Sequence, residues 1–374
     1  MIGMEVQKDR IVETLRDLVR IPSHESMREI SGYVTSEIRK LGIEPDVDSD
    51  GNVIATIGSG QALLLNAHMD TVGVKNYSNA LSGEIKDDKL YGRGSSDCKA
   101  GVAAMLEIFR VLKENPPRKQ VIFAFTVWEE TGDSERDGAY KVAKNIKATH
   151  GIVLESSVHE DSNIRADIGC KGRFVYNIDV IGRATHSGRP KKGKNAIYLA
   201  SGLIEKLRGF STQTRDFPGL GKFQSFLNVT QIEANEGSNT IPGKCSLTVD
   251  YRALPGEKET DIRKRIEEAC RDVLGKSYVI TPSEAKEGFI QDNPEYIRLF
   301  KKGVDDAGMG FSKNLSSGWF DGAVFNEAGI ITLNLGPGTK GQAHQNPEYC
   351  WIPGLVKGTQ AVLNVIRRWD TQGI

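Results

Sequence analysis

The feature of this chain that most constrains its fold is a set of long apolar runs that end in polar residues or glycine. Four runs have this form: LLLNAHMD (63–70), VIFAFTVWEE (121–130), GIVLES (151–156) and IITLNLGPG (330–338). Each reads as a buried strand of a parallel sheet. In an open α/β sheet, ligands bind at the carboxyl edge of the strands, so residues distant in sequence converge there. The runs predict an α/β fold, with a mostly parallel sheet, helices on both faces and a site at one edge.

The polar residues of these runs, and of two loops, are nitrogen and oxygen donors. The candidates are His68, Asp70, Asp97, Glu129, Glu130, Glu155 and His344. Imidazoles and carboxylates without a thiolate suit zinc or a similar divalent ion. Each residue alone also fits an ordinary role: Asp97 precedes the amphipathic stretch 99–114 and suits a helix N-cap, and His344 suits an exposed loop. The pattern as a whole indicates a metal site.

Glu129 and Glu130 are adjacent at the end of an apolar strand. On extended backbone, neighbouring side chains point to opposite sides, so the two carboxylates cannot easily share one role. One of them can bind a metal ion while the other accepts a proton.

The order of the motifs resembles that of the M20 family of metallopeptidases, the group of acetylornithine deacetylase, succinyl-diaminopimelate desuccinylase, aminoacylase and glutamate carboxypeptidase. The matching motifs are IPS (21–23), HMD (68–70), GRGSSDCKAG (92–101), EE (129–130), THSGRP (185–190), GSNTIP (237–242), DYR (250–252), LGPG (335–338) and AHQNPEY (343–349). They extend over nearly the whole chain, and their order and spacing both agree with the family.

The resemblance implies a site with two metal ions. Its ligands would be His68 and Glu155 on one ion, Glu130 and His344 on the other, and Asp97 bridging both. Asp70 would hold the imidazole of His68, and Glu129 would be the general base. Three ligand carboxylates against two divalent cations leave one positive charge, which a hydroxide would neutralise. Zinc is the expected metal, with cobalt or manganese as alternatives.

Composition favours a cytoplasmic enzyme. The chain has 374 residues, of which 39% are hydrophobic, and its 49 basic residues equal its 49 acidic ones. Without net charge, neither nucleic acid nor a membrane is an expected partner. The amphipathic N-terminal segment 1–19 lacks the apolar core of a signal peptide, and no segment approaches the length of a transmembrane helix. The five cysteines are scattered without a paired motif, which favours reduced thiols.

The pattern changes near residue 170. The stretches that follow read in the order β-α-β-β-α-β, at 173–182, 195–210, 225–234, 245–253, 259–275 and 278–282. That order is typical of a ferredoxin-like α+β unit. We therefore expect an inserted domain at 171–283 between the two parts, 1–170 and 284–374, of a discontinuous catalytic domain. In the resembling family this insert is a lid and often a dimerisation surface, which implies a homodimer.

The resemblance also implies substrate contacts. His186 would polarise the scissile carbonyl, and Asn239, Gly336 and Gly338 would bind substrate. The planar guanidinium group of Arg252 can donate two hydrogen bonds to a substrate carboxylate. A turn histidine, a turn-forming asparagine and a surface ion pair are the ordinary alternatives for His186, Asn239 and Arg252.

One turn departs from the family. The segment SSGWFDGAVF has Trp319 and Phe320 before Asp321, where family members often carry a small or hydroxyl residue. This indicates either a bulkier, more apolar pocket wall or two aromatic residues of the core.

Other functional classes fit less well. The GRG at 92–94 does not continue into a dinucleotide fingerprint, because Asp97 stands where the third glycine belongs, and there is no G-x-S-x-G elbow of a serine hydrolase. A metal-free binding homologue would not need both ligand sets and Glu129. The sequence predicts a di-zinc amidohydrolase that cleaves an N-acyl amino acid or small peptide with a free carboxylate. A dipeptidase, carboxypeptidase or lidless aminopeptidase of the same di-zinc type is the alternative.

Overall fold

A computed structural model describes residues 5–131 and 135–372. Met1 to Met4, at the start of the amphipathic N-terminal segment, lie outside the described residues. The helices are α1 (Lys8–Arg20), α2 (Arg28–Arg39), α3 (Lys99–Glu114), α4 (Gly138–Asn145), α5 (Ala196–Arg208), α6 (Glu259–Leu274), α7 (Pro294–Asp306), α8 (Gly322–Glu327) and α9 (Ile352–Thr371). Within these described ranges, none of the helices combines the length and apolarity that a bilayer crossing requires.

The strands are mostly short. They are β1 (Asp46–Val47), β2 (Val53–Ile57), β3 (Ala62–His68), β4 (Glu84–Lys86), β5 (Lys89–Tyr91), β6 (Gln120–Thr126), β7 (His150–Val158), β8 (Asn163–Cys170), β9 (Gly172–Ile181), β10 (Thr185–His186), β11 (Thr214–Phe217), β12 (Gly221–Gln224), β13 (Phe226–Glu233), β14 (Thr240–Ile241), β15 (Lys244–Ala253), β16 (Tyr278–Lys286), β17 (Phe289–Ile290), β18 (Gly310–Ser316), β19 (Ile331–Thr339) and β20 (Tyr349–Trp351).

The chain forms two compact units. Unit 2 comprises Cys170–Ile290 and Leu315–Trp319, and unit 1 comprises the described residues before, between and after these segments. The insert was expected to end at 283, whereas unit 2 continues to Ile290. The difference arises because β16 passes through Pro282, where the pairing register with β9 shifts, and runs on to Lys286. A bulge is one of the few places where a strand tolerates proline.

Unit 1 is built on a mixed sheet whose strand order includes β1-β2-β6-β3-β7-β19-β8. The four central strands, β6, β3, β7 and β19, pair in parallel, and β2 pairs antiparallel with β6. Every residue of β3 is buried, which explains its unbroken apolar sequence. The predicted mostly parallel α/β fold is confirmed.

Helix α3 fixes the segment that carries Asp97. It is buried on all sides from Lys99 to Leu112, whereas the sequence indicated an amphipathic helix, and it packs against β3, β7 and β19. Cys98 occupies the N-cap, so Asp97 lies before the helix. The N-cap alternative for Asp97 is therefore wrong.

Unit 2 contains a four-stranded antiparallel sheet in the order β13-β15-β9-β16. Alternate residues of β9, from Phe174 to Val180, face a core to which α5 and α6 contribute apolar side chains such as Leu203 and Ile266. The strand order and the two helices match the predicted ferredoxin-like unit.

Candidate active site

The polar residues predicted for the sheet edge are all in unit 1. His68 is the last residue of β3, and β6 ends at Thr126, just before Glu129 and Glu130. Glu155 lies within β7. The other three candidates lie outside helices and strands, Asp70 after β3, Asp97 before α3 and His344 after β19.

Glu129 and Glu130 do not lie on extended backbone, so the prediction of a strand to residue 130 is wrong. Trp128 has a left-handed φ of 68°, which ends the extended segment, and Glu129–Thr131 form a 3₁₀ turn. Strand alternation therefore does not separate the two carboxylates.

Asp70 positions both His68 and this turn. The His68 Nδ1 atom lies 3.0 Å from the backbone carbonyl oxygen of Asp70 and 3.6 Å from its carboxylate. A carbonyl oxygen only accepts, so Nδ1 carries a proton, and Nε2 is the ring nitrogen that faces Asp97. The Asp70 carboxylate accepts hydrogen bonds from the backbone N–H groups of Glu129 (3.3 Å) and Glu130 (3.0 Å).

Asp97 stands between the two histidines. Its Oδ1 lies 3.3 Å from Nε2 of His68, and its Oδ2 lies 3.7 Å from Nε2 of His344. His344 Nε2 also lies 3.0 Å from a carboxylate oxygen of Glu130. Donor atoms of His68, Asp97 and Glu130 all lie within 4.8 Å of one another. A carboxylate whose two oxygens face different imidazoles has the arrangement of a bridging ligand.

The three glutamates of this site hold their protons more tightly than usual. Burial raises the pKa of Glu129 well above its ordinary value despite the opposing charge of His68. Burial, with the charge of Asp97, likewise raises the pKa of Glu155. The pKa of Glu130 is raised by burial, against the hydrogen bond from His344.

The pKa values of Asp97 and of the two histidines shift in the directions expected for ion pairs. Burial acts to raise the pKa of Asp97, but its interactions with the two histidines outweigh that effect, and the pKa is lowered. Burial opposes protonation of His68, yet Cys98 and two aspartates raise its pKa well above the ordinary value. The hydrogen bond to Glu130 raises the pKa of His344. Such clustered shifts are typical of functional sites.

The donor set fits a divalent metal ion. It consists of imidazole nitrogens and carboxylate oxygens, the donors that zinc accepts. The nearby thiol of Cys98 is directed to the carbonyl oxygen of Leu154, at 3.2 Å.

Two acidic residues in this region received no role in the sequence analysis. Asp321 is buried, accepts a hydrogen bond from Thr126 (3.3 Å) and adds to the raised pKa values of Glu129 and Glu155. Glu348, four residues after His344, is also buried. Glu348 lies in the matching motif AHQNPEY, whereas Asp321 lies in the turn that departs from the family.

The two aromatic residues before Asp321 differ in their surroundings. Phe320 is buried in unit 1, in agreement with the core alternative. Trp319 belongs to unit 2 and is partly exposed, with the Lys286 ammonium 3.8 Å from its ring centroid.

In unit 2, His186 and Asn239 are neighbours. The short strands β10 and β14 pair His186 with Thr240, and the Ser187 N–H donates to the Asn239 carbonyl oxygen at 2.8 Å. The exposed His186 ring accepts a hydrogen bond at Nδ1 from the Gly188 N–H, at 3.0 Å. Because Nδ1 accepts, Nε2 is the ring nitrogen that can donate a hydrogen bond.

Arg252 forms an ion pair, which was the alternative to a substrate contact for this residue. Its Nε donates to Asp250 at 2.8 Å, and Asp250 also accepts from Nε of Arg173 at 2.8 Å. Arg252 Nη1 makes no hydrogen bond to the part of the chain that the structure describes. One edge of the guanidinium group therefore remains available.

Gly336 and Gly338 are required for packing. A Cβ atom at Gly336 would lie 2.2 Å from the Leu154 carbonyl group, and one at Gly338 would lie 2.4 Å from the Ser96 carbonyl oxygen. Both residues are buried in β19. The close approach of neighbouring backbone explains these glycines without a substrate contact.

Comparison with known proteins gives one consistent family. The model of "Peptidase family M20/M25/M40" matches residues 64–368. The uncharacterised protein YqjE of Bacillus subtilis is 29% identical over 96% of this chain and 98% of its own length. A succinyl-diaminopimelate desuccinylase of Corynebacterium glutamicum is 26% identical over 93% of both chains. A tripeptidase from Staphylococcus aureus has a similar fold, with a TM-score of 0.79, 24% identity and coverage of 98% of this chain and 100% of that one.

The family match covers most of the chain and includes every residue of the unit 1 cluster. It agrees with the resemblance of the motifs and with the mixed α/β architecture. The chain belongs to peptidase family M20/M25/M40, whose members hydrolyse amide and peptide bonds.

Proposed function

We propose that this protein is a di-metal hydrolase that cleaves the amide bond of an N-acyl amino acid or small peptide with a free carboxylate. The observation that carries the proposal is the position of Asp97, whose two oxygens face His68 and His344 at 3.3 and 3.7 Å. The substrate class is supported by a relative named succinyl-diaminopimelate desuccinylase and a similar structure named a tripeptidase.

The ligands fall into the two sets that the motifs suggest: His68 and Glu155 for one ion, Glu130 and His344 for the other, and Asp97 for both. When bound, divalent ions such as zinc, cobalt or manganese polarise a carbonyl group and lower the pKa of water.

Glu129 is the residue we assign to proton transfer. Its backbone N–H donates to Asp70, so the turn that carries it is fixed beside His68. A carboxylate beside the metal ligands that is not itself a ligand can take a proton from water and return it to the leaving amine.

We assign substrate recognition to unit 2. The Nε2–H group of His186 is a donor for the oxygen of the scissile carbonyl, and Asn239 lies beside it. The available edge of Arg252 suits a carboxylate. We also propose a homodimer formed through unit 2.

The substrate class is tested by measuring hydrolysis of a panel with zinc, cobalt or manganese added. The panel contains N-acetyl and N-succinyl amino acids, dipeptides, tripeptides and amino-acid amides. We expect activity on members with a free carboxylate. Activity confined to amides that have a free amine and a blocked carboxylate would instead favour an aminopeptidase.

Arg252→Ala should raise KM for substrates with a free carboxylate by about 10- to 150-fold, the equivalent of losing a charge-assisted contact of about 1.5–3 kcal/mol. Arg173 still pairs with Asp250 in this variant, so the fold should persist. Substrates with an amidated carboxylate are the control, and the variant and the parent should hydrolyse them alike. An equal penalty on free and amidated substrates would show that Arg252 supports only the fold.

The stabilisation by metal should depend on pH. In the metal-free protein the pKa values of Glu129, Glu130 and Glu155 are raised, so the folded chain binds more protons than the unfolded chain above the ordinary Glu pKa of about 4.3. Metal-free stability should therefore fall as pH rises through this range. The raised pKa of His68 also lowers the metal-free stability as pH rises. The lowered pKa of Asp97 changes the stability only at more acidic pH.

Metal ions replace those protons, so they should raise Tm more at pH 7.5 than at pH 5.5. Thermal unfolding of chelator-treated protein, with and without two equivalents of cobalt, measures this difference. The expectation fails if the increase in Tm is the same at both pH values, or larger at pH 5.5.

A further inference from the structure

The most completely hydrogen-bonded carboxylate near the candidate site is that of Glu348, which the proposed mechanism does not use. Its side chain is only 1% exposed. Oε1 accepts from the backbone N–H groups of Ser96 (2.9 Å) and Asp97 (3.0 Å). Oε2 accepts from the backbone N–H of Gly94 (2.9 Å) and from Nη1 of Arg93 (2.8 Å). Each oxygen therefore has two donors, and three of the four are backbone groups of the Asp97 loop.

Arg93 extends this arrangement to the loop that carries His344. Its Nη1 also donates to the Gln345 carbonyl oxygen at 3.2 Å, and its Nη2 donates to Asn346 Oδ1 at 2.6 Å. The Arg93 side chain is 4% exposed. One guanidinium group thus contacts Glu348 and the two residues that follow His344.

Further contacts tie the same two loops together. The Gly92 N–H donates to the Glu348 carbonyl oxygen at 3.0 Å, and the Ser96 hydroxyl donates to the Tyr349 carbonyl oxygen at 2.7 Å. Residues 92–97 and 345–349 therefore form one hydrogen-bonded layer, which we call the loop brace.

The loop brace matters because Asp97 and His344 lie outside regular helices and strands. His344 has a left-handed φ of 61° and a side chain that is 56% exposed. Loop residues hold a geometry less well than residues on helices or strands, unless a supporting set of contacts fixes them. The groups that orient metal ligands commonly contribute 10- to 100-fold to metal affinity.

We propose that Glu348 and Arg93 are positioning residues that fix Asp97 and His344 relative to each other for metal binding. The inference rests on the proposed function, because it takes these two residues as metal ligands. Glu348 itself is not a ligand, since both of its oxygens are already occupied by N–H donors.

The test compares metal affinity in three variants by titrating chelator-treated protein with cobalt against a competing indicator. Glu348→Gln places an amide NH₂ against two N–H donors, and Arg93→Lys keeps the charge but cannot span both loops. Glu107→Gln is the matched control. Glu107 is fully buried and accepts three hydrogen bonds, from Gln7 N–H and Arg10, about 12 Å along α3 from its start.

We expect Glu348→Gln and Arg93→Lys to weaken cobalt binding by about 10- to 100-fold, and Glu107→Gln to lower Tm with an affinity like that of the parent. If the first two variants lower Tm but bind cobalt as the parent does, the loop brace only supports the fold and the inference is overturned. If Glu348→Gln does not fold, Arg93→Lys decides. A parent chain that binds no cobalt would overturn the proposed function, and this inference with it.

Discussion

Glu129→Gln should lower turnover by roughly 10²–10⁴-fold, the range for losing a general base, while the metal content remains that of the parent. Glutamine keeps the shape of the side chain but cannot accept the proton. The backbone contact of residue 129 with Asp70 does not involve the side chain, so the turn should be retained. Steady-state kinetics and metal analysis on the same preparation measure both quantities.

Glu155→Gln is the matched comparison for this prediction. Glu155 is another acidic residue of the site with a pKa raised by burial, but we assign it to metal binding. That variant should lose metal and turnover together. Near-parental turnover in Glu129→Gln, or a loss of metal equal to that in Glu155→Gln, would refute the assignment of Glu129 as the base.

Asp97→Ala should empty at least one of the two metal sites, because it removes the carboxylate that faces both His68 and His344. The stabilisation from that ion should disappear with it, about 2.7 kcal/mol for an ion present at 100 times its Kd. Metal analysis and thermal unfolding in the presence of cobalt measure the two effects. The difference in Tm between variant and parent should shrink when both are metal-free.

Asp321→Asn is the control for Asp97→Ala. Asp321 is a buried aspartate that affects the pKa values of Glu129 and Glu155, but it is outside the proposed ligand set. It should retain both metal ions. Two equivalents of metal in Asp97→Ala would show that Asp97 is not the bridge.

The sequence predicts best the elements whose environment is uniform along their length. Helix α3 was expected at 99–114 and spans Lys99–Glu114, because burial continues along its length and apolar residues recur at helical spacing. Strand β3 was readable for the same reason. Since both elements end near the sheet edge, their sequence also indicated where the polar residues converge.

The sequence predicts less well what depends on one backbone angle or on a distant contact. The turn at Glu129 follows from the left-handed φ of Trp128, which apolar and polar patterning does not encode. The role of Glu348 depends on N–H groups more than 250 residues earlier in the chain. Its motif was recognised, but no local pattern shows which donors a buried glutamate will meet.

The number of metal ions per chain tests the central claim most directly. Protein treated with a chelator and then titrated with cobalt or zinc should bind two ions per chain, measured by metal analysis after removal of excess metal. Replacement of Asp97 should then reduce that number. A parent chain that binds one ion, or none, would contradict the two-metal site formed by His68, Asp97, Glu130, Glu155 and His344.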